Sequence, residues 1–177
     1  LKQVGYTSYR YFYIVYVDDV NPVIVLAGDK DSPMTNAVVS KIGYSKNALP
    51  AGFPTVLFYT PIVYGTSGEI VNYCYFRMVG NMVTANFVVT SHSDDINYAI
   101  SPPTASVRPA TYQYITVTDS AIATYSGEAY MDTISNPSRI AFFLLTVAGA
   151  GITTSDWTNS GVKSVDGKMD YPIGPTF

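Results

Sequence analysis

Apolar and polar side chains alternate along short stretches of this chain, and residues that favour turns separate the stretches. Val, Ile, Thr, Tyr and Phe dominate the stretches, while Gly, Pro, Asn, Asp and Ser lie between them, a pattern typical of β-strands. Helical spacing of apolar residues with good helix formers between them is not found over any long segment. The sequence therefore predicts an all-β protein, an antiparallel sandwich of jelly-roll type with little helix. The predicted strands are residues 10–17, 23–26, 37–42, 55–64, 69–79, 82–90, 96–100, 112–118, 121–131, 139–147 and 169–173.

Two hairpins are predicted from their turn residues. In residues 73–87, two β-rich runs meet at Gly80-Asn81, a pair suited to the positive φ of a two-residue hairpin turn. The second hairpin joins residues 112–118 to residues 121–131 across Asp119-Ser120.

The length of 177 residues predicts one domain that covers residues 1–177. Residues 1–48 carry strands of their own, and no linker composition separates them from the rest. They either belong to the same sandwich or form a small preceding β unit. Because the chain starts at Leu1 rather than Met, we expect it to be a fragment or a mature product.

Charge is scarce in this composition. Charged residues make up 13% of the chain and the net charge is −3, whereas soluble proteins average about 25% charged residues. The Lys and Arg residues are scattered singly, so we expect no nucleic-acid binding. The longest apolar run, residues 140–152, is too short to cross a bilayer as a helix, so no membrane insertion is expected. A surface rich in Tyr, Thr and Ser instead suits an assembly or a carbohydrate.

The residues that commonly carry enzyme chemistry are few. Cys74 is the only cysteine and His92 the only histidine, which argues against a disulfide, a zinc site and a Ser-His-Asp triad. Glu69 and Glu128 are the only glutamates, and most of the aspartates lie in turn-like segments. We therefore predict no catalysis, no metal and no cofactor.

Five residues are candidates for a binding surface. Trp157 follows Asp156 among small polar residues, which suits a sugar-stacking platform, although a Trp that caps the core has the same signature. His92 and Asp94 are two apart, so they share a face if the preceding strand continues that far, and Asp95 adjoins them. The alternative for these three residues is a solvated loop.

One hairpin and the loop after it carry a family resemblance. Residues 75–83 read Tyr-Phe-Arg-Met-Val-Gly-Asn-Met-Val, and a strand, the segment 101–103 (Ser-Pro-Pro) and Arg108-Pro109 follow. This arrangement resembles C-terminal domains of tailed-phage fibre and baseplate proteins, in which an aromatic residue, Arg or Lys, and a Val-Gly-Asn/Asp turn precede a strand and a Pro-rich loop with Arg-Pro. The match covers residues 69–147.

The resemblance implies a head domain in an extracellular virion. Such a domain is a β-sandwich that forms a homotrimer on a fibre axis, contacts other virion proteins, binds a bacterial surface saccharide and catalyses no reaction. Two alternatives remain open. A structural virion protein (capsid, decoration or collar) predicts a large apolar interface that uses the N-terminal tyrosines 6, 9, 11, 13 and 16. A carbohydrate-binding or catalytic module of a secreted enzyme predicts a monomer.

Overall fold

The structure, a computed structural model, describes residues 1–4, 7, 9–18, 20–21, 23–30, 34–35, 38–44, 54–93, 97–104, 112–120, 123–133, 139–148, 151–155, 157–158 and 160–173. These residues form fourteen strands and no helix. In chain order the strands are β1 Lys2–Gln3, β2 Phe12–Asp18, β3 Val23–Gly28, β4 Val39–Lys41, β5 Leu57–Phe58, β6 Val63–Tyr64, β7 Thr66–Val79, β8 Met82–Ser93, β9 Ala99–Ile100, β10 Gln113–Asp119, β11 Ala123–Asp132, β12 Arg139–Ala148, β13 Gly151–Ser155 and β14 Val162–Pro172. The prediction of an all-β, sandwich-like fold is confirmed, and its jelly-roll topology stays a prediction.

Ten of the strands form one large antiparallel sheet. Its order is β5-β7-β8-β14-β10-β11-β12-β9-β6, and β13 pairs with β12 beside this path. The two terminal strands of the path, β5 and β6, are close neighbours in sequence, so the two ends of the sheet must approach each other. Backbone hydrogen bonds continue both pairings, from Tyr59 N to the Cys74 carbonyl (3.0 Å) and from Ser101 N to the Ile62 carbonyl (2.8 Å). The sheet is therefore curled, and residues 57–64 link its two ends.

The core fills the inside of the curl, where alternate residues of the long strands point. In β8, Val83, Ala85, Phe87 and Val89 are all buried, while the residues between them are half-buried. This period of two is what a strand with one face on a core requires. The same alternation occurs in β10, β11, β12 and β14.

The hairpin between β7 and β8 has the predicted turn. Val79 pairs with Met82, and Gly80 has a φ of 61°. Among the described residues only glycines have a positive φ, so Asn81 does not, and this φ pattern is that of a type II′ turn. The prediction of a turn at Gly80-Asn81 is confirmed.

The hairpin between β10 and β11 is also present, with one difference from the prediction. Asp119 pairs with Ala123, so the connection is three residues long instead of two. Asp119 stays in the strand because its buried carboxylate accepts hydrogen bonds from the N–H and the hydroxyl of Thr158. Ile115 and Val117 are buried as alternate residues of β10, as strand geometry requires.

The N-terminal segment forms two small antiparallel sheets, β1-β4 and β2-β3. Tyr13 and Ala27 of the β2-β3 hairpin are buried, and the Tyr13 ring lies 5.9 Å from the Phe76 ring of β7. The Lys30 N–H donates to the Phe58 carbonyl at 2.7 Å. The base of this hairpin therefore packs against the β7 side of the large sheet.

Candidate functional site

A groove lies on the outer face of the large sheet where pairing between β10 and β14 is interrupted. Regular pairing of the two strands ends at Thr116 and Asp166. Further along, the Gln113 side chain replaces the ladder, because its Nε2 donates to the Asp170 carbonyl at 2.9 Å and its Oε1 accepts from the Asp170 N–H at 3.1 Å. Between these contacts, two residues of β10 face three of β14. Such an irregularity bends a strand and redirects its side chains.

Ile115 and Gly167 lie at the base of the groove. A Cβ atom on Gly167 would come within 2.4 Å of Ile115 Cγ2, so the glycine lets Ile115 lie against the backbone of β14. The groove is open, with a volume of about 510 Å³, which is room for one or two sugar units of a longer chain.

Polar side chains from five adjacent strands line the groove, and a tyrosine stands on either side. Register places Tyr73, Val88, Asp166, Thr116 and Ser126 in one row across β7, β8, β14, β10 and β11. Asn86 and Lys168 lie opposite each other in the next row. Tyr73 is exposed at the β7 side and Tyr114 at the β10 side, where 76% of its surface is open to solvent.

The described residues that line the groove include one acidic and one basic side chain, Asp166 and Lys168. Partial desolvation, and then the negative charge of Asp166, raise the pKa of the Tyr73 hydroxyl. In the strand register, Tyr73 and Asp166 lie on either side of Val88. Lys168 Nζ lies 3.3 Å from Asp170 Oδ2 in an exposed ion pair. Among the described lining residues, Asp166 is the only acid.

Further aromatic rings extend both rims. Tyr75 stacks on Tyr73 with centroids 5.8 Å apart. On the other side, Tyr112 stacks on Tyr130 with centroids 5.1 Å apart. A polar groove between aromatic faces suits a saccharide, whose ring carries apolar C–H faces and hydroxyls at its edge. Within the described part of the chain, no group of three or more His, Cys, Asp or Glu side chains is placed to hold a metal ion.

The predicted role of Trp157 as an exposed sugar platform is wrong. Its side chain is only 2% exposed, and its indole N–H donates to the Phe142 carbonyl at 2.8 Å. Trp157 is thus a core residue, the alternative that its sequence signature left open. Burial of a Trp requires a partner for its N–H, and the Phe142 carbonyl supplies one.

A buried polar cluster surrounds Trp157. Asp119, which is fully buried, accepts hydrogen bonds from the Thr158 N–H at 3.0 Å and from the Thr158 hydroxyl at 2.8 and 2.9 Å. Lys163 pairs with Asp119 in the β10-β14 ladder and is also fully buried, with its Nζ 5.6 Å from the centroid of the Trp157 ring. These contacts attach residues 157–158 to the end of the sheet, so we assign the cluster to stability.

The other candidate residues do not join the groove. His92 is exposed near the end of β8, opposite Ser67 and Val162. It lies six positions further along β8 than Asn86, which is about 20 Å along a strand. Strand β8 does continue past His92 to Ser93. Asp94, Asp95 and Asp156 lie outside the described residues.

Cys74 has the expected environment. It is buried, and burial raises the pKa of its thiol to about 12, so the thiol stays protonated at neutral pH and is a poor nucleophile. Separately, none of the described residues belongs to a helix long and apolar enough to span a membrane.

The sequence did not predict any of the residues that line the groove. The buried positions Ile115 and Val117 place Tyr114 and Thr116 on the outer face of β10, so the alternation of that strand was a usable signal. Asp166 and Lys168 gave no such signal, because the first half of β14 was not predicted to be a strand.

No family model, no curated protein and no solved structure matches the chain.

Proposed function

We propose that this chain is a non-catalytic head domain of a phage fibre that binds a bacterial surface saccharide in the groove between Tyr73 and Tyr114. The observation that carries the proposal is the polar groove with an exposed tyrosine on each side. The tyrosines supply faces for sugar rings, and the Asp166, Asn86 and Lys168 side chains supply acceptors and donors for hydroxyls. The phage origin rests on the resemblance of residues 69–147.

The positions of the acidic residues support binding without catalysis. Glycoside hydrolysis in most families uses two carboxyl groups about 5–9.5 Å apart. Asp166 is the only acid among the described lining residues. The two glutamates lie on β7 and β11, which three strands separate, and four strand spacings amount to about 19 Å.

The proposed mechanism is shallow recognition strengthened by several copies. An open groove excludes little water, so we expect each site to bind weakly. In an assembly, binding at one site raises the effective concentration at the next, and a repeating polysaccharide can occupy several grooves at once. A homotrimer would supply three such grooves.

The experiment that tests this proposal is a binding screen of the full chain against immobilised bacterial capsular and O-antigen polysaccharides. Tyr114→Ala and Asp166→Asn should each weaken binding about tenfold or more, equivalent to about 1.4 kcal/mol. Val79→Ala, at an exposed position of β7 outside the groove, is the matched control and should leave binding unchanged. Failure to bind any polysaccharide, or equal binding by the groove variants and the wild type, would overturn the proposal.

A structural virion protein is the second candidate, and the exposed apolar surface of the N-terminal segment favours it. Such a protein would assemble with other virion proteins but would bind none of the polysaccharides in the same screen. The screen therefore separates the two functions.

A further inference from the structure

The two charged side chains that line the groove differ in their partners. Lys168 Nζ lies 3.3 Å from Asp170 Oδ2, and the Thr84 hydroxyl donates a hydrogen bond to the other oxygen of the same carboxylate. Asp166 and Asp170 lie two residues on either side of Lys168 along β14, so the three side chains share the outer face of the sheet. The ammonium group of Lys168 is thus paired with Asp170.

The Asp166 carboxylate is exposed, and among the described residues it takes part in no ion pair. Glu128 adds a second negative charge to the same face, because it lies opposite Tyr114 on β11. With Lys168 paired to Asp170, the charges of Asp166 and Glu128 are not balanced in this part of the sheet. The field of the groove therefore attracts cations and repels anions.

Two tyrosines lie on either side of the Asp166 carboxylate. Tyr73 is two strands away from Asp166, with Val88 between them in the register. On the other side, Tyr114 is two residues along β10 from Thr116, which pairs directly with Asp166. Both tyrosines are exposed. An ammonium group is attracted to the face of a tyrosine ring as well as to a carboxylate, so a cationic ligand in the groove would meet both kinds of partner.

We propose that the saccharide bound in this groove carries free amino groups, and that a protonated hexosamine unit lies between the two tyrosines with its ammonium group on Asp166. This inference rests on the proposed saccharide site and names the class of its ligand. Neutral and N-acetylated sugars offer the groove only hydroxyls and amides, and acidic sugars would place a carboxylate beside Asp166. The groove has room for one or two hexosamine units.

Binding of matched oligosaccharides to the full chain, measured by isothermal titration calorimetry, tests the proposal. The probes are the tetramers of glucosamine, of N-acetylglucosamine and of galacturonic acid. We expect the glucosamine tetramer to bind about tenfold more tightly than its acetylated counterpart, and more tightly than the acidic tetramer. A glucosamine tetramer that binds no more tightly than either of the others, or does not bind at all, overturns the proposal.

Variants then locate the preference for the amine. Asp166→Asn keeps a polar side chain of the same size and removes its charge, so the affinity ratio of the two hexosamine tetramers should fall to about one. Glu69→Gln is the matched control, because it removes one negative charge from an exposed position of β7 that does not line the groove. This variant should keep the preference. A preference that survives Asp166→Asn, or that falls equally in Glu69→Gln, overturns the proposal.

The two proposals fail in different ways. A chain that binds a capsular or O-antigen polysaccharide in the groove but shows no preference for the free amine keeps the proposed function and loses this inference. A chain that binds neither the polysaccharides nor the tetramers loses both.

Discussion

The indole N–H of Trp157 donates a hydrogen bond to the carbonyl oxygen of Phe142 at 2.8 Å, and this bond holds the only tryptophan of the chain inside the core. The Tyr98 ring meets the Trp157 and Phe142 rings edge-on, with centroids 5.2 and 5.4 Å away. The three rings fill the core between the paired strands β12 and β9 and strand β8, whose Val89 carbonyl accepts a hydrogen bond from the Tyr98 hydroxyl at 3.3 Å. We therefore expect a substitution at Trp157 to change the stability of the fold.

Replacement of Trp157 by Phe should lower stability and leave saccharide binding intact. The variant removes the donor for the buried Phe142 carbonyl, which costs about 1–3 kcal/mol, and leaves a cavity that adds to the loss. Urea unfolding followed by far-UV circular dichroism measures the change. Weaker saccharide binding by a fully folded Trp157→Phe variant would show that the ring contributes to recognition after all.

Asp119→Ala should be among the most destabilising single substitutions in this chain. It removes the acceptor for the Thr158 N–H and hydroxyl, and a buried donor without its acceptor costs about 1–3 kcal/mol. Asp166→Ala is the matched control, because Asp166 lies three residue pairs along the same ladder but is exposed. We expect its effect on the free energy of unfolding, measured by urea unfolding, to stay within about 0.5 kcal/mol. Equal losses in the two variants would contradict a role for the buried cluster in stability.

Gly127→Ala should destabilise the fold through steric conflict. A Cβ atom at this position would lie 2.5 Å from Val117 Cγ1 and 2.7 Å from the Phe143 carbonyl oxygen, and the carbonyl belongs to the backbone of β12 and cannot rotate away. Overpacking of this kind costs about 1–3 kcal/mol. At Gly43 a Cβ atom would meet nothing within 4 Å, so Gly43→Ala should not lower the thermal midpoint. A Gly127→Ala variant as stable as the wild type would disprove this close packing of β10, β11 and β12.

The sequence predicted the strands whose inward positions are all apolar. In β8 the inward residues are Val83, Ala85, Phe87 and Val89, and alternation located that strand along with its hairpin turn. The first half of β14 was missed because its inward positions include Lys163 and Gly167. The lysine belongs to the buried polar cluster, and the glycine makes room for Ile115, so tertiary contacts override the local pattern at both positions.

The same failure explains why the groove was not predicted. Asp166-Gly167 reads as a turn by local preference, yet both residues lie inside a strand of eleven residues. The groove forms at the irregular pairing of β10 with β14, strands whose facing segments are about fifty residues apart in sequence. A long-range register of this kind has no local sequence signal, whereas the outward positions of single strands, such as Tyr114, do.

Stability should fall as the pH rises above about 9. Burial raises the pKa of the Cys74 thiol from 9.0 to about 12 and the pKa of the Tyr98 hydroxyl from 10.0 to about 12, and burial also raises the pKa of Tyr171. Between the ordinary and the raised pKa values the folded state holds protons that the unfolded state releases, so stability declines with pH in that range. Below that range, stability is constant with respect to these groups.

Urea unfolding at pH 8, 9, 10 and 11 measures the decline. Cys74→Ala removes the thiol and should make the decline begin about one pH unit later, near the ordinary pKa of tyrosine. A free energy of unfolding that stays level up to pH 11 would contradict the burial of these groups.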